Sequence, residues 1–546
     1  MKKLAILNLL FLVILVSCKK NKLTQEPKPV EPPVKEDSIK TSTLIYAGAN
    51  GKLIYGKYTN EGETNNVNSI PDFSFAGYKG GGVALPTIAV KKTLFAETGD
   101  CRALIQAAID EVGNLTPDAN GFRGAVLLKA GTYEVSNTLF ISKSGVVLRG
   151  EGQGTTGTIL KATRTAQHSL IMIKGSGSGL GEIAGSRKKI TAPYVATGDL
   201  SMELESTAPF KVGDAISVLR TPNQTWIDDL LMAQYGWTAS SYAINFERKI
   251  SSINGNTITL NSAIVDPIQT KYGGGFVYKT NIAGRISECG VENMRLLSSY
   301  VNDDDENHGW DGVELSRAEN CWVRQVTSQY FGYSCVTIGN QSAYNTVEEC
   351  AMLDPKSETT GGRKYSFNLE GAASYNLFQR CYARGGRHDY VTGSRVPGPN
   401  VFLDSYAEQT NADIGPHHRW ATGLLFDNIY GGEIRVRNRG ASGSGHGWAG
   451  AQTVFWNCVS SSQTFEVSSP KGGKNFGIGC KATDKQGTGF WESYNVPVTP
   501  RSLYITQLKE RLGQSAVNNI ATAAQRNGTI INLIKNWKGE GKLLEM

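Results

Sequence analysis

Histidine is scarce in this chain, six in 546 residues, and long apolar runs are absent after the first twenty positions. The second absence argues against membrane-spanning helices beyond the N-terminus, since a span needs about 20 apolar residues. The nine cysteines include no Cys-x-x-Cys pair, so zinc held by cysteine is unsupported. Their positions do not suggest a disulfide framework either. Charged residues make up 19% and fall in few runs, and the net charge of +7 is a mild basic excess. That balance suits an acidic partner but is too weak to argue for nucleic acid. Glycine is plentiful, at 62 residues, as a turn-rich β protein requires.

The first twenty residues read as an address. Lys2-Lys3, the apolar run Leu4 to Val16 and the tetrad Leu15-Val16-Ser17-Cys18 have the form of a bacterial lipoprotein signal. Cleavage before Cys18 would leave that cysteine lipidated. Lys19 after it, rather than Asp, points to the outer membrane of a Gram-negative bacterium. Residues 1–17 are thus expected to be a leader, and 18–43, rich in Lys, Glu and Pro, a flexible tether.

Five of the six histidines fall between positions 308 and 446, where the chain repeats itself. His308-Gly309-Trp310-Asp311-Gly312 returns as His446-Gly447-Trp448-Ala449-Gly450, and Gly339, Asn368, Gly393 and Gly423 mark the last glycine's place between them. Asn345, Asn376, Asn400 and Asn428 each introduce an apolar pair. Irregular repeats of about 25 to 30 residues, built of short β-runs and Asn/Gly turns, predict a solenoid with one rung per repeat. Equivalent positions on successive rungs then lie about 4.8 Å apart and form columns. Cys350, Cys381, Cys458 and Cys480 each stand five residues after the start of their strand, which predicts a buried stack of free thiols.

Counting back from the marks gives three adjacent columns. Arg363, His388 and His418 share the first, flanked by Arg387 and His417. Lys364, Asp389, Arg419 and His446 share the second, and Tyr365, Tyr390 and Trp420 the third. Cations, imidazoles and aromatic rings stacked over three rungs predict a functional site. The strand face that each residue takes is left open, because a slip of one residue inverts it. Arg435, Arg437 and Arg439 alternate and so share a face.

Asp100 precedes an amphipathic run, Leu104, Ile105, Ala108, Ile109 and Val112, which predicts a helix covering the solenoid's open end. β-Runs follow at Ala125–Lys129, Thr138–Ile141 and Gly145–Arg149. Residues 186–284 interrupt the rungs with antiparallel β, including a hairpin at Asn254-Gly255. Tyr504, Leu508 and Leu512 recur at helical spacing, so residues 491–546 are expected to form a C-terminal helical cap to a β-helix over 44–490. The order Thr98-Gly99-Asp100, Ile105-Gln106-Ala107-Ala108-Ile109-Asp110, Leu127-Leu128-Lys129-Ala130-Gly131-Thr132-Tyr133 and Gly145-Val146-Val147-Leu148-Arg149-Gly150-Glu151-Gly152 resembles the entry into the pectate-lyase-like superfamily. That resemblance implies an all-β fold, a right-handed parallel β-helix, among whose members are polysaccharide lyases and polygalacturonase-type hydrolases.

The fold hosts several reactions, so the columns must choose among them. β-Elimination beside a uronate carboxylate needs a cation for the carboxylate, a base for the C5 proton and an acid for the leaving oxygen. Arg363, Arg387 or Arg419 is expected to supply the first, with Lys364 and Arg439 as further contacts. His388 or His418, oriented by Asp389, is expected to be the base, and Tyr365 or Tyr390 the acid. His417 and His446 complete the basic surface, and Trp420 and Trp448 offer faces for sugar rings. The expected partner is an anionic, sulfated polysaccharide or its oligosaccharides; loss of hydroxide instead of a sugar would make a dehydratase. Polygalacturonases resemble the chain at Gly445-His446-Gly447, but no paired carboxylate stands in the adjoining rungs, and a purely binding surface is the third alternative. No cofactor is required. Calcium is the metal left open, at Asp303-Asp304-Asp305-Glu306 with Asp311. Zinc at His388, His417, His418 and His446 is disfavoured by the Arg and Lys of the same columns.

Overall fold

The computed structural model describes residues 39–177, 180–462 and 464–543. Cys18, the leader and nearly all of the expected tether lie outside them. The tether ends earlier than expected, because Lys40–Thr41 already pairs in parallel with Val498–Thr499.

The chain from Val90 to Glu492 winds as a right-handed parallel β-helix. One face is a seven-strand parallel sheet made, in spatial order, of Leu139–Ile141, His168–Lys174, Gly309–Ser316, Ser334–Gly339, Phe367–Leu369, Tyr390–Thr392 and Gly415–Pro416. This sheet carries the site and is called the cleft sheet below. Another face stacks Trp322–Gln329, Thr346–Glu348, Leu377–Gln379, Asn400–Glu408, Ala421–Gly431, Gly450–Trp456 and Phe476–Ile478.

The Asn-plus-apolar-pair pattern explains that second face. Asn345, Asn376 and Asn400 are fully buried and form a ladder: the Asn345 amide donates to Asn376 Oδ1 at 2.9 Å, and Asn376 donates in turn to Asn400 Oδ1 at 3.2 Å. Each also accepts a backbone N–H from the previous rung, as when Asn345 N donates to Asn376 at 3.2 Å. The turn's polar groups are thereby satisfied inside the coil. Of the apolar pair that follows, the first residue points out and the second in. Phe378, Phe402, Phe426 and Phe455 stack inward with successive ring centroids 5.0 Å apart, the strand spacing. Leu377, Val401, Leu425 and Val454 point outward under Leu503, Tyr504 and Leu508.

That outward stripe corrects one expectation. The C-terminal helices do not cap the coil's end; Leu503–Ile520, broken at Gly513, lies along its flank where the apolar stripe needs cover. The N-terminal helix Arg102–Gly113 does cover the first rungs, with Ile105, Ala108, Ile109 and Val112 in one core with Val126, Leu128 and Leu148. Residues 181–281 form the expected antiparallel insertion, whose pairing of Asn254 with Thr257 leaves Gly255-Asn256 as a two-residue turn.

The rungs are real, but several of the predicted columns are not. Asn368 pairs with Thr337 and Val391, two positions away from the column of Gly339 and Gly393. Gly423 and Gly450 belong to the other face, beside Asn400–Glu408, and Asn428 lies well past the Asn ladder, where Leu424 and Thr453 take the next places. Loops of unequal length between strands shift the count from rung to rung. The cysteine stack holds: Cys350 lies beside Cys381 and Cys458 beside Cys480, all buried free thiols.

Replacing Asn376 by Ala should cost about 1–3 kcal/mol, because the change leaves the buried Asn345 N–H without its acceptor. Denaturant unfolding checks this against exposed Asn50→Ala, expected to change stability by less than about 0.5 kcal/mol.

Candidate functional site

At the upper rungs of the cleft sheet a cleft of about 820 Å³ opens on the outside of the coil. Its floor and walls come from Tyr333, Tyr365 and Glu370, from Arg387 and His388, from Asp413, His417 and His418, and from Glu433, Arg435, Arg437, Arg439 and His446. Phe367 pairs with Tyr390, so two residues earlier His388 sits beside Tyr365, with ring centroids 5.2 Å apart. His417 packs on both, at 4.2 Å from His388 and 5.4 Å from Tyr365. The segment 433–446 closes the cleft from the next rung, its Ile434 bridged to Ile414.

His388 has a defined tautomer. Its Nδ1–H donates to the Asp413 backbone carbonyl at 2.6 Å, and the Asp413 carboxylate lies 3.5 Å from the same nitrogen. Nε2 is left as a buried acceptor without a partner. Asp413 is clamped by Arg439 through contacts of 2.8 to 3.3 Å, both side chains about 7% exposed. Burial alone would raise the Asp413 pKa, but His388 and Arg439 hold it below the usual carboxylate range. Burial, reinforced by the neighbouring cations, lowers His388 to about 4, His418 to about 3 and His446 to about 4, and drives His417 lower still. These imidazoles are therefore neutral at neutral pH. Burial raises the Tyr365 pKa despite the opposing pull of Arg387 and Arg439, so its hydroxyl stays protonated. The Asp413–Arg439 pair therefore fixes a neutral imidazole beside a phenol, a base–acid pair in the same cleft.

Several expected site residues fall elsewhere. Tyr390 points into the coil's core, stacked on Phe367, and donates to the carbonyls of Cys381 and Tyr406. Trp420 is buried in the insertion's core against Trp226, and its Nε1 donates to Asp266, so it offers no face to a sugar. Trp448 packs against the same core. Asp389 is buried beneath the cleft, accepts from Ser366 at 2.7 Å and is pushed up to about 6 by burial. Gly386 is required there, since a Cβ would collide with the Asp389 carboxylate. Asp413, not Asp389, orients His388. Arg363 pairs with Glu306 and Lys364 with Thr359, both off the cleft lining. Arg419 donates to Ser444 and supports the segment carrying His446. The acidic run is dispersed: Asp303 pairs with Lys356, Glu306 with Arg363, and Asp311 accepts from Ser334 and Thr337. It forms no metal cluster among the described residues.

Tyr365, Arg387, His388, His417, His418, Arg439 and His446 are brought together as expected. Asp413, Tyr333, Glu370 and Glu433 were missed. The signal for Asp413 was its place one rung beyond Asp389, given by the pairing of Val391 with Gly415. The glycine marks implied a longer rung there and hid it.

No family model matches the chain, and no curated protein matches it. Among solved structures it is similar to the tailspike protein gp49 from Pseudomonas phage LKA1, at 13% identity over 73% of this chain and 71% of that one, TM-score 0.37. It is also similar to endo-xylogalacturonan hydrolase from Aspergillus tubingensis, at 11% identity over 75% and 93% of the two chains, TM-score 0.36. Polygalacturonase from Erwinia carotovora ssp. carotovora is similar at 10% identity over 76% and 97%, TM-score 0.34.

Breaking the buried clamp should be far more costly than breaking the surface pair. Arg439→Met is expected to lose about 3–5 kcal/mol by leaving a buried carboxylate unpaired, and Arg363→Met less than about 1 kcal/mol. Denaturant unfolding of the two variants checks the contrast; equal losses would contradict the assignment of Arg439 to the site's frame.

Proposed function

We propose that this protein is a polysaccharide-degrading lyase that acts by β-elimination on a uronate-containing, sulfated polysaccharide or its oligosaccharides. The observation that carries the reading is the buried, unpartnered Nε2 of His388, aimed by Asp413 and set beside a protonated Tyr365. In the reaction, His388 Nε2 takes the C5 proton. The C–H electron pair becomes the C4–C5 double bond, the C4–O bond breaks, and Tyr365 gives its hydroxyl proton to the departing oxygen. The substrate carboxylate must be neutralised for C5 to release its proton, and Arg387 and Arg437 line the cleft for that purpose. When hydroxide leaves in place of a sugar, the same groups perform a dehydration.

Hydrolysis needs two carboxyl groups free to act. The cleft's carboxylates are already engaged: Asp413 by Arg439, Glu433 by Arg435, and Glu370 by Tyr333 and Asn368. This favours elimination over the hydrolase reading that the superfamily resemblance also allows. We further propose that Cys18 carries lipid and holds the enzyme at the outer membrane of a Gram-negative bacterium.

Incubation with a panel of sulfated and desulfated uronate polysaccharides and their oligomers should produce an ultraviolet-absorbing unsaturated uronate. His388→Ala and Tyr365→Phe should each lower turnover at least about a hundredfold with the fold intact. New reducing ends without absorbance would establish hydrolysis instead. Loss of one water's mass without chain shortening would establish the dehydratase. Cys18→Ala should move the protein from the membrane to the soluble fraction; a variant that stays with the membrane would contradict the lipid anchor.

A further inference from the structure

Three imidazoles of the cleft have no part in the elimination. His417, His418 and His446 each place a ring nitrogen within 4.8 Å of the others', the group of this kind found among the described residues. Their ring centroids are 5.4, 5.1 and 4.8 Å apart. Nδ1 of all three is buried without a hydrogen-bond partner, and the whole His417 side chain is nearly enclosed, at 5% exposure. Buried polar atoms in native proteins almost always have a partner, so three unpartnered ones in a single histidine cluster call for a ligand that the protein itself does not supply.

The chain is shaped to bring them together. The strand Gly415–Pro416 ends just before the histidine pair, which frees His417 and His418 from the alternation that would send them to opposite faces. Arg419 and Trp420 follow with left-handed φ of 57° and 59°, a conformation that bulky residues keep only where the surroundings enforce it. His446 is tied in by its carbonyl, which accepts from Arg419 N at 3.1 Å. Its ring lies over Gly443, where a Cβ would strike the imidazole.

We infer that His417, His418 and His446 bind one first-row divalent transition metal, such as zinc, with a fourth coordination position open to the cleft. Imidazole suits zinc, copper and nickel, and three protein ligands with one open position are the arrangement of catalytic rather than structural zinc. The cations that argued against a metal are largely otherwise occupied. Lys364 is turned to Thr359, Arg439 is paired with Asp413, and Arg419 donates to Ser444. The remaining positive field favours an anionic fourth ligand. On the elimination reading, on which only this clause rests, that ligand is the uronate carboxylate.

The test uses the full chain, stripped with a chelator and then titrated with zinc or cobalt alone. Elemental analysis and calorimetry should give one metal per chain, and bound cobalt should show the visible absorption of a site with few nitrogen ligands. His446→Gln and His418→Ala, with thermal unfolding showing that they are folded, should each weaken binding at least about tenfold. His388→Ala should bind metal as wild type does. Wild-type protein that takes up no stoichiometric metal, or a folded His418→Ala/His446→Gln double variant that binds equally well, would overturn the assignment. So would loss of binding in His388→Ala, which would make a different set of ligands. Metal binding without any unsaturated product leaves the site standing and removes the lyase reading. Unsaturated product from metal-free wild type with no stoichiometric uptake does the reverse.

Discussion

The constraint on which the rest depends is the fixed spacing of a parallel coil. Once one rung is laid down, the next must place its backbone about 4.8 Å above it, and side chains in register have no choice but to touch. The ladder from Asn345 through Asn400 and the phenylalanine stack from Phe378 to Phe455 are the interior answers to that demand, one pairing polar turn groups and the other filling the core. On the outside the same spacing sets Tyr365, His388 and His417 in contact without any loop having to fold over them. The site is therefore a consequence of register, held by a scaffold whose rigidity comes from far longer stacks.

What the scaffold does not supply is charge balance. Imidazoles beside arginines would be poorly placed if all were ionised, and burial with neighbouring cations keeps the histidines neutral. A single residue, Asp413, does two jobs: its carboxylate holds Arg439 and its backbone carbonyl fixes the His388 proton on Nδ1. The insertion contributes at a distance. Trp237 Nε1 donates to the Gly445 carbonyl at 3.0 Å, so the insertion's aromatic core steadies the segment that presents His446.

Fold and site were legible in the sequence to different degrees. The repeat, the N-terminal helix, the insertion and the cysteine stack could be read because each rests on local patterning: apolar alternation, helical spacing, or a fixed count from a strand's first residue. The histidine and arginine columns pointed to the right rungs for the same reason. The exact neighbours could not be read, because they depend on loop lengths. A shift of two residues replaced Arg363 by Tyr365 as the neighbour of His388, and a rung shorter than the glycine marks implied set Asp413 rather than Arg419 beside Asp389. Trp420 was misread for another reason: its burial is against Trp226, almost two hundred residues earlier in a segment outside the repeat.

The central claim is that His388 removes a proton from C5 of a uronate. A substrate carrying deuterium at C5 tests it most directly, by mass measurement of the products together with the rate. The account predicts that the label is lost from every cleaved unit and that turnover slows relative to unlabelled substrate. Cleavage that retains the label at C5 would contradict it.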